Sequence, residues 1–459
     1  MAHQQYFQAR FLGEASDVFT CTINGRERAF VNMPEGGPQE LVGANEPRSR
    51  HVTLGPFLSL KSSSAPDVNY RFDCSPIYAT SAGRDSVFAI DGRVVVQLTP
   101  ASNADDSKLM VSRIAGGEDE AGGEVRDRDV PEGADEQRRD GSGAEARFTF
   151  GLRCPAPAGN GVLYVVDGDR IRKLQLAPQQ VQQPGAGAEG EGAAAAGVGG
   201  AAVVVTTPQL AGWQPRAIWG LAHIPPEQLS GAGNASAAAG ANAGGGGCLV
   251  FSTGTALYSL PLPPPPQGGG GSGAAATAAP AAAATGPQPL TPQLLAGHPD
   301  EPGARDAEAG CDARFTAIRI GLALDGDGTV ILLDQHAQHA QHTAIRRVSL
   351  RDGGAVSTLG VMTEALTRPA VLAGSGCLAA IITAPQPGVS VIALGLPPPR
   401  GVLAAEAALG AGGAAAGGGG SEGSGGTPGK SRSRLAAEEE EVEGGVAGSS
   451  GGGHKRRRK

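Results

Sequence analysis

Residues 87–98 of the chain have the sequence VFAIDGRVVVQL, in which an Asp-Gly pair separates two apolar runs. Asp-Gly favours the positive φ angles of a two-residue hairpin turn, and β-branched residues favour strands. The first run is apolar at every position, whereas a strand with one face in water alternates apolar and polar residues. The segment therefore predicts a β-hairpin whose first strand is covered on both faces.

Four more segments have the same form, with two apolar runs around a short connection. They are residues 163–174, 248–260, 330–348 and 378–394. Asp-Gly recurs at Asp167-Gly168, whereas the third copy has Ser252-Thr253-Gly254 and the fourth has Asp334 before a longer loop. Repeated hairpins covered on both sides are typical of a β-propeller, in which each blade packs between two neighbours.

A second marker precedes three of the hairpins at a constant distance. It is an Arg-Phe pair, and in each case the Phe stands 19 residues before the turn aspartate. The pairs are Phe72 with Asp91, Phe148 with Asp167, and Phe315 with Asp334. This distance leaves room for one more strand in each unit, which fits a four-stranded blade. We interpret these six residues as structural markers of the repeat.

The N-terminal segment supplies one more hairpin and a strand that can close the ring. Residues 18–33 contain two strand-like runs around Asn24-Gly25, and residues 6–12 can pair with the last blade, which stops after Leu394. Such closure removes the two sheet edges that an open ring would expose. The sequence thus predicts an all-β fold, a five- or six-bladed β-propeller, with six blades favoured.

Tracts rich in Gly, Ala and Pro separate the predicted strands. Together with the C-terminal tail they contain most of the 73 Gly residues, and they cannot bury enough apolar surface to offset their conformational entropy. We predict disordered insertions near residues 116–143, 178–200, 231–247 and 263–289. The predicted propeller spans residues 51–396 after N-terminal strands in residues 1–50, and residues 397–459 form a disordered tail with an acidic run and a basic end.

Two segments before the Arg-Phe pairs resemble the inter-repeat linker of NHL-repeat β-propellers, which belong to the six-bladed, TolB-like superfamily. They are residues 140–148, DGSGAEARF, and residues 295–315, which end in DARF. Residues 321–360 resemble one complete repeat. The resemblance is degenerate, since two copies lack the turn aspartate and one loop is enlarged. It implies a six-bladed ring and, as in some NHL propellers, RNA binding through a basic face.

The charge, hydropathy and cysteine content of the chain disfavour several classes of function. A net charge of -8 and a pI near 5.6 disfavour a surface built to neutralise phosphates. No apolar run approaches the ~18 residues of a membrane span, and residues 1–13 lack the pattern of a secretory signal. The six cysteines are far apart without a C-x-x-C pair, which predicts reduced thiols. We expect an intracellular protein, cytoplasmic or nuclear, with no membrane contact.

The aspartates of the repeat resemble a carboxylate set, but their turn positions favour a structural role. Turn aspartates accept hydrogen bonds from nearby backbone N–H groups. Arg172 and Arg346 occupy matching positions in the returning strands, so we expect them to partner Asp167 and Asp334 across the hairpins. No residue is therefore assigned a catalytic role.

A metal-dependent propeller hydrolase would need acidic and amide side chains on its innermost strands. We predict these strands at residues 76–80, 151–154, 219–223, 319–324 and 370–373. They offer His223, with Asp325 at a strand end, whereas a hard cation requires several converging oxygen ligands. No cofactor is predicted.

Three histidines in the loop after Asp334, namely His336, His339 and His342, follow an H-A-Q repeat. Three imidazoles can chelate zinc, copper or nickel. The simple repeat, without a neighbouring carboxylate or thiol, favours a solvated loop instead. These histidines are therefore only weak candidate metal ligands.

The chain has a basic end that could act as a nuclear-import signal or contact phosphates. Its residues are Lys455, Arg456, Arg457, Arg458 and Lys459.

Together these features predict a non-enzymatic interaction scaffold that binds a protein or peptide partner through the loop faces of the propeller. An RNA-binding NHL propeller is the alternative, disfavoured by the acidic balance, and a metal-dependent hydrolase is the second alternative. The sequence makes no prediction of the oligomeric state.

Overall fold

The computed structural model describes eleven segments of the chain, which are residues 8–23, 26–33, 37–46, 51–72, 78–81, 86–102, 105–117, 138–176, 203–229, 246–264 and 288–396. All of them lie within the unit Met1–Ala407. The predicted insertions lie largely outside the described residues, and so does the predicted tail at residues 397–459.

The described residues form six sheets, which are the six blades of a β-propeller. Blade 1 contains β2 (Asp17–Ile23), β3 (Arg26–Met33), β4 (Gly37–Val42) and β5 (Thr53–Phe57). Blade 2 contains β7 (Tyr78–Ser81), β8 (Val87–Asp91), β9 (Val94–Ser102) and β10 (Asp105–Ala115), with β6 (Ser59–Ser62) at its outer edge. Blade 3 contains β12 (Leu152–Pro157), β13 (Val162–Asp167), β14 (Arg170–Leu176) and β15 (Val203–Thr206), with β11 (Gly141–Ser142) outermost.

The second half of the ring has the same organisation. Blade 4 contains β16 (Gly220–Ile224), β17 (Cys248–Ser252), β18 (Ala256–Pro261) and β19 (Gln293–Gly297), and the short helix α1 (Pro226–Leu229) follows β16. Blade 5 contains β20 (Ala323–Leu324), β21 (Thr329–Gln335), β22 (Thr343–Ser349) and β23 (Ala355–Met362). Blade 6 contains β24 (Ala365–Leu372), β25 (Cys377–Ala384), β26 (Gly388–Ala393) and β1 (Gln8–Leu12). The all-β, six-bladed fold favoured by the sequence is confirmed.

The ring is closed by its N-terminal strand. β1 pairs antiparallel with β26, so that Ala9 lies opposite Val391 and Leu12 opposite Gly388. The outermost strand of blade 6 therefore comes from the start of the propeller and the other three from its end. This pairing gives the last blade its fourth strand, which is the role expected for residues 6–12.

The apolar hairpin strands are buried on both faces because each blade has two neighbours. In β8, Val87 and Ala89 pack with Phe19 and other side chains of blade 1. The alternate residues Phe88 and Ile90 pack against blade 3. Successive side chains of a strand point to opposite faces, so a strand between two blades must be apolar throughout.

The two faces of the disc differ in which loops they hold. Each innermost strand starts beside the turn of its blade's central hairpin, as Leu152 does opposite Asp167, and we name this side the turn face. On the opposite side, here named the insertion face, the innermost strands end. The strands before residues 177–202 and 265–287, β14 and β18, also end at the insertion face.

The first predicted insertion is shorter than the sequence indicated. Residues 138–143 belong to the propeller, where β11 pairs with β15 and the backbone of Arg139 bonds that of Arg147. The reason is the side chain of Asp140, which accepts hydrogen bonds from the backbone and hydroxyl of Thr207 at 2.9 Å each.

Candidate functional site

The turn aspartate of blade 3 is part of a buried charge network. The Asp167 carboxylate accepts a hydrogen bond from the Thr149 backbone N–H at 3.0 Å and one from Arg172 Nη1 at 2.9 Å. Arg172 also donates to Asp140 at 2.8 Å, and its guanidinium lies 4.9 Å from the centre of the Phe148 ring. Asp167 therefore joins the hairpin to the segment before the blade, whereas the sequence suggested bonds within the turn.

Blade 5 repeats this network. Asp334 accepts hydrogen bonds from the backbone of Thr316 and Ala317, at 3.2 and 2.8 Å, and from Arg346 at 3.4 Å. Arg346 is also 2.9 Å from Asp306 and packs over the Phe315 ring at 5.3 Å. Burial raises the pKa of Asp334 to about 6, against the lowering effect of its hydrogen bonds and of Arg346.

Blade 2 keeps the aspartate but changes its surroundings. The Tyr70 hydroxyl donates to Asp91 at 2.8 Å, and Phe72 is only partly buried. Val96 pairs with Ala89 and so occupies the position that Arg172 has in blade 3. The position that Arg172 and Arg346 share in blades 3 and 5 is therefore apolar in blade 2.

A cavity of ≈ 1610 Å³ follows the axis of the ring. The innermost strands of all six blades line it, and loop residues of the insertion face extend its wall. Each blade contributes at least one lining residue, as illustrated by Asp17, Tyr78, Cys154, Leu221, Leu322 and Arg368. Because every blade takes part, the cavity exists only in the closed ring.

Asp17 is the lining residue that the sequence analysis missed. The five predicted innermost strands overlap β7, β12, β16, β20 and β24, but the innermost strand of blade 1 is β2, which starts at Asp17. The Asp17 carboxylate is buried and accepts hydrogen bonds from the backbone of Val18 at 2.9 Å and of Ala79 at 2.6 Å. Burial raises its pKa to about 7, although Arg368 and both hydrogen bonds act in the opposite direction.

Two innermost strands are locally distorted where they line the cavity. Cys154 and Arg368 have positive φ angles of 50° and 54°, and each lies at a register shift between the innermost strand and its neighbour. Bulges of this kind redirect side chains, and a positive φ costs a non-glycine residue about 1–3 kcal/mol. Both of these unfavourable backbone conformations therefore lie on strands that line the axial cavity.

The distorted strands carry two arginines that stack on aromatic rings. The Arg368 guanidinium lies 4.6 Å from the Tyr78 ring centre, and its Nη2 donates to the Tyr78 hydroxyl at 3.5 Å. The Arg153 guanidinium lies 4.8 Å from the Trp219 ring centre. We name Arg153 and Arg368 the axial arginines. Both lower the pKa of Tyr78, although burial is the larger effect and raises it overall.

The two ligand candidates from the sequence do not converge. His223 lines the cavity, and burial lowers its pKa, while one ring nitrogen is 3.4 Å from the Gly246 carbonyl. Asp325 accepts hydrogen bonds from the backbone of Asp327 and Thr329 at 2.9 and 3.3 Å, so it stabilises a turn. Among the residues described, no group of three or more His, Cys, Asp or Glu side chains could hold a metal ion.

The three loop histidines lie together on the turn face. The ring centres of His339 and His342 are 4.6 Å apart, and those of His336 and His339 are 5.6 Å apart and stacked. The backbone of His336 also donates to the His342 carbonyl at 3.0 Å. The three imidazole rings therefore lie close to one another within the loop.

Four of the described cysteines are free thiols, namely Cys154, Cys248, Cys311 and Cys377. Burial raises the pKa of Cys154 and Cys248 to about 11, which keeps both as unreactive thiols at neutral pH. No helix in the described part of the chain has the length and apolar character of a membrane span.

Comparison with known proteins finds likeness only at the level of fold. No protein-family model matches the chain, and no curated protein matches it in sequence. An auxiliary nutrient binding protein from Bacteroides thetaiotaomicron has 9% identity and a TM-score of 0.39, over 85% of this chain and 72% of that chain. The β-propeller domain of Cps50 (Swd1) from Myceliophteria thermophila has 9% identity and a TM-score of 0.37, over 84% of this chain and 99% of that chain. The NHL, TolB-like subtype stays a prediction.

Proposed function

We propose that this propeller is a non-enzymatic interaction scaffold that binds a peptide segment of a partner protein in the axial cavity, entering through the loops of the insertion face. The observation that carries the proposal is the cavity of ≈ 1610 Å³ to which every blade contributes. Small-molecule pockets occupy roughly 300–1,000 Å³, so this cavity has room for several residues of an extended chain.

The lining suits a peptide because it combines apolar and polar positions. Val162, Leu221 and Leu322 offer apolar contacts, while Lys173 and Gln175 on β14 offer polar ones. Peptide grooves use such a mixture, with pockets for alternate side chains and polar groups that fix the register. A cavity wall made of buried hairpins is also preorganised, which reduces the entropic cost of binding.

The proposal is tested by selecting from a random peptide library on the full-length chain. Two variants block the cavity from opposite walls, Thr80→Trp on β7 and Ala370→Trp on β24, both at partly exposed lining positions. The matched control is Ala101→Trp on β9, which is exposed and outside the cavity. Thermal unfolding establishes that all variants fold. We expect peptides to be enriched on the wild type and the control and lost on both blocked variants.

The opposite result would refute the proposal. Peptides that bind the blocked variants as tightly as the wild type would use another surface, and a library that yields no peptide on the wild type would remove the function itself.

RNA binding remains the second candidate, supported by a specific feature of the turn face. Arg93 stacks on Phe150 at 3.7 Å, and Phe150 is 41% exposed. A second cavity of ≈ 690 Å³ is lined by Arg138, Arg170 and Trp213 among others. Aromatic rings beside cations form stacking platforms for single-stranded bases. Salt-sensitive binding of single-stranded RNA that Phe150→Ala abolishes would favour this function over the peptide proposal.

A further inference from the structure

We propose that Arg368, which lines the cavity, together with the Tyr78 hydroxyl, anchors a carboxylate group of the peptide that the cavity binds. The inference rests on the proposed function and adds the chemistry of the ligand, an acidic peptide.

Arg368 forms no salt bridge within the described segments, although the buried Asp17 carboxyl interacts with it electrostatically. Its guanidinium makes one side-chain hydrogen bond, to Tyr78 at 3.5 Å, and the residue is only partly buried. A guanidinium has five N–H donors, so Arg368 keeps donors for an acceptor that enters the cavity.

The stacking geometry selects the kind of acceptor. A guanidinium that lies flat on an aromatic ring keeps its edge free, and that edge matches the two oxygens of a carboxylate. Tyr78 and Trp219 provide the rings, and the Tyr78 hydroxyl lies at the Arg368 edge as a further donor. Arg153 also acts on Tyr78 electrostatically, but among the described residues that line the cavity the cation beside Tyr78 is Arg368.

Asp17 forms no salt bridge with Arg368 among the described residues. Its carboxylate instead accepts backbone N–H groups of Val18 and Ala79. The groups that act on Asp17 from neighbouring strands are Arg368 from β24, the backbone of Ala79 from β7 and Cys154 from β12. Because burial raises the pKa of Asp17 to about 7, its carboxyl offsets the charge of Arg368 only in part at neutral pH.

The protonation of Asp17 adds a pH dependence to this binding. The pKa of Asp17 is about 7, so the carboxyl is largely neutral at pH 6 and ionised at pH 8. An ionised Asp17 repels a second carboxylate nearby. We therefore expect the affinity for an acidic peptide to fall as the pH rises through 7, and Asp17→Asn to remove that fall.

The experiment compares the sequences of peptides selected on the full-length wild type, Arg368→Gln, Arg153→Gln and the control Arg26→Gln, which is exposed on β3. We expect the wild type and the control to enrich Asp or Glu at a fixed position. Arg368→Gln should still enrich peptides but lose the acidic preference, whereas Arg153→Gln, at a position outside the cavity lining, should keep it. Arg368→Lys should retain it only in part, since an ammonium lacks the planar fork.

Two fluorescein-labelled probes measure the effect, the peptide most enriched on the wild type and the same peptide with Gln or Asn in place of its acidic residue. On the wild type this exchange should weaken binding about tenfold or more, as expected for a charged hydrogen bond, and on Arg368→Gln less than about twofold. Acetate and inorganic phosphate serve as competitors, and acetate is expected to displace the acidic probe.

The outcomes separate the two proposals. If no peptide is enriched on the wild type, the proposed function fails and this inference fails with it. If peptides are enriched and lost on the cavity-blocked variants, but without acidic preference or with the same preference on Arg368→Gln, only the carboxylate anchor is refuted. Displacement by phosphate and not by acetate also refutes it.

Discussion

The arginines of blades 3 and 5 differ from those at the axis in what surrounds them. Arg172 is completely buried and lies against two carboxylates, Asp167 and Asp140, and Arg346 has the equivalent pair. Arg368 lies against an aromatic ring with no salt bridge among the described residues. Both kinds stack on a ring, so the difference lies in the neighbouring anions and in the depth of burial.

The charges of Arg172 and Arg346 are paired within the fold, whereas the charges of Arg153 and Arg368 form no salt bridge among the described residues. A cation that is removed from water must be compensated by anions and hydrogen bonds, and Arg172 and Arg346 satisfy that requirement within the chain. Arg153 and Arg368 are only partly buried, so water reduces the cost of leaving them unpaired. An unpaired cation held by a distorted strand is a feature that folding alone does not require.

The largest effect is expected from removing one partner of the blade 3 network. Arg172→Leu leaves the buried Asp167 carboxylate without its closest cation, and breaking such a pair costs about 3–5 kcal/mol of unfolding free energy. Urea unfolding of the full chain measures the loss. A loss below about 1 kcal/mol would show that the network does not stabilise the propeller. Arg172 would then not differ from Arg368 in its structural role.

The next effect concerns Asp17 and depends on pH. Its pKa is raised from 3.8 to about 7 in the folded chain, so between these values the folded state holds a proton that the unfolded state has released. The contribution of Asp17 to the unfolding free energy is fully present below about pH 4 and is lost as the pH rises through 7.

Asp17→Asn should therefore raise the unfolding free energy at pH 8 relative to pH 4, by up to about 4 kcal/mol. A loss of about 1–3 kcal/mol is expected at both pH values, because the amide nitrogen cannot accept the second backbone N–H. The control Asp67→Asn, at an exposed position, should have no effect at either pH. Urea titrations at both pH values check this, and an equal effect of Asp17→Asn at both would show that ionisation is not the cause.

A smaller effect is expected at the axis itself. Arg368→Leu removes a cation that has no salt-bridge partner in the described chain, and the aliphatic side chain still covers the Tyr78 ring. We expect the unfolding free energy to change by less than about 1 kcal/mol. If Arg368→Leu destabilises the chain as strongly as Arg172→Leu, the axial arginine is part of the structural framework and the contrast between the two classes disappears.

The sequence predicted the roles of the buried Arg172 and Arg346 better than those of the axial arginines. Asp-Gly turns and apolar runs locate the hairpins, and Arg172 and Arg346 stand at equivalent repeat positions, so their partners follow from local patterns. The sequence predicted five or six blades and favoured six, because the strand-like residues 6–12 can pair with the last blade and close the ring.

The axial residues could not be found in the same way because their environment is created by the ring. The sequence did not reveal Asp17 because residues 18–33 have the pattern of a single hairpin. That pattern does not show that β2 is the innermost strand of blade 1. The role of Arg368 depends on a positive φ and a register shift, neither of which has a sequence signature at an arginine. Only the contact between blades 6 and 2 brings Arg368 to Tyr78.

The smallest effect on the propeller is expected from a third set of cations, the basic end of the chain. Deletion of Lys455–Lys459, which lie outside the described residues, should leave both the unfolding free energy and peptide binding unchanged, because the six blades and the described cavity lining are formed by residues 8–396. If the basic end is a nuclear-import signal, the same deletion moves a fluorescent fusion of the full chain from the nucleus to the cytoplasm. An unchanged distribution refutes the signal, and a loss of acidic-peptide binding on deletion would show that cations outside the ring share the task assigned to Arg368.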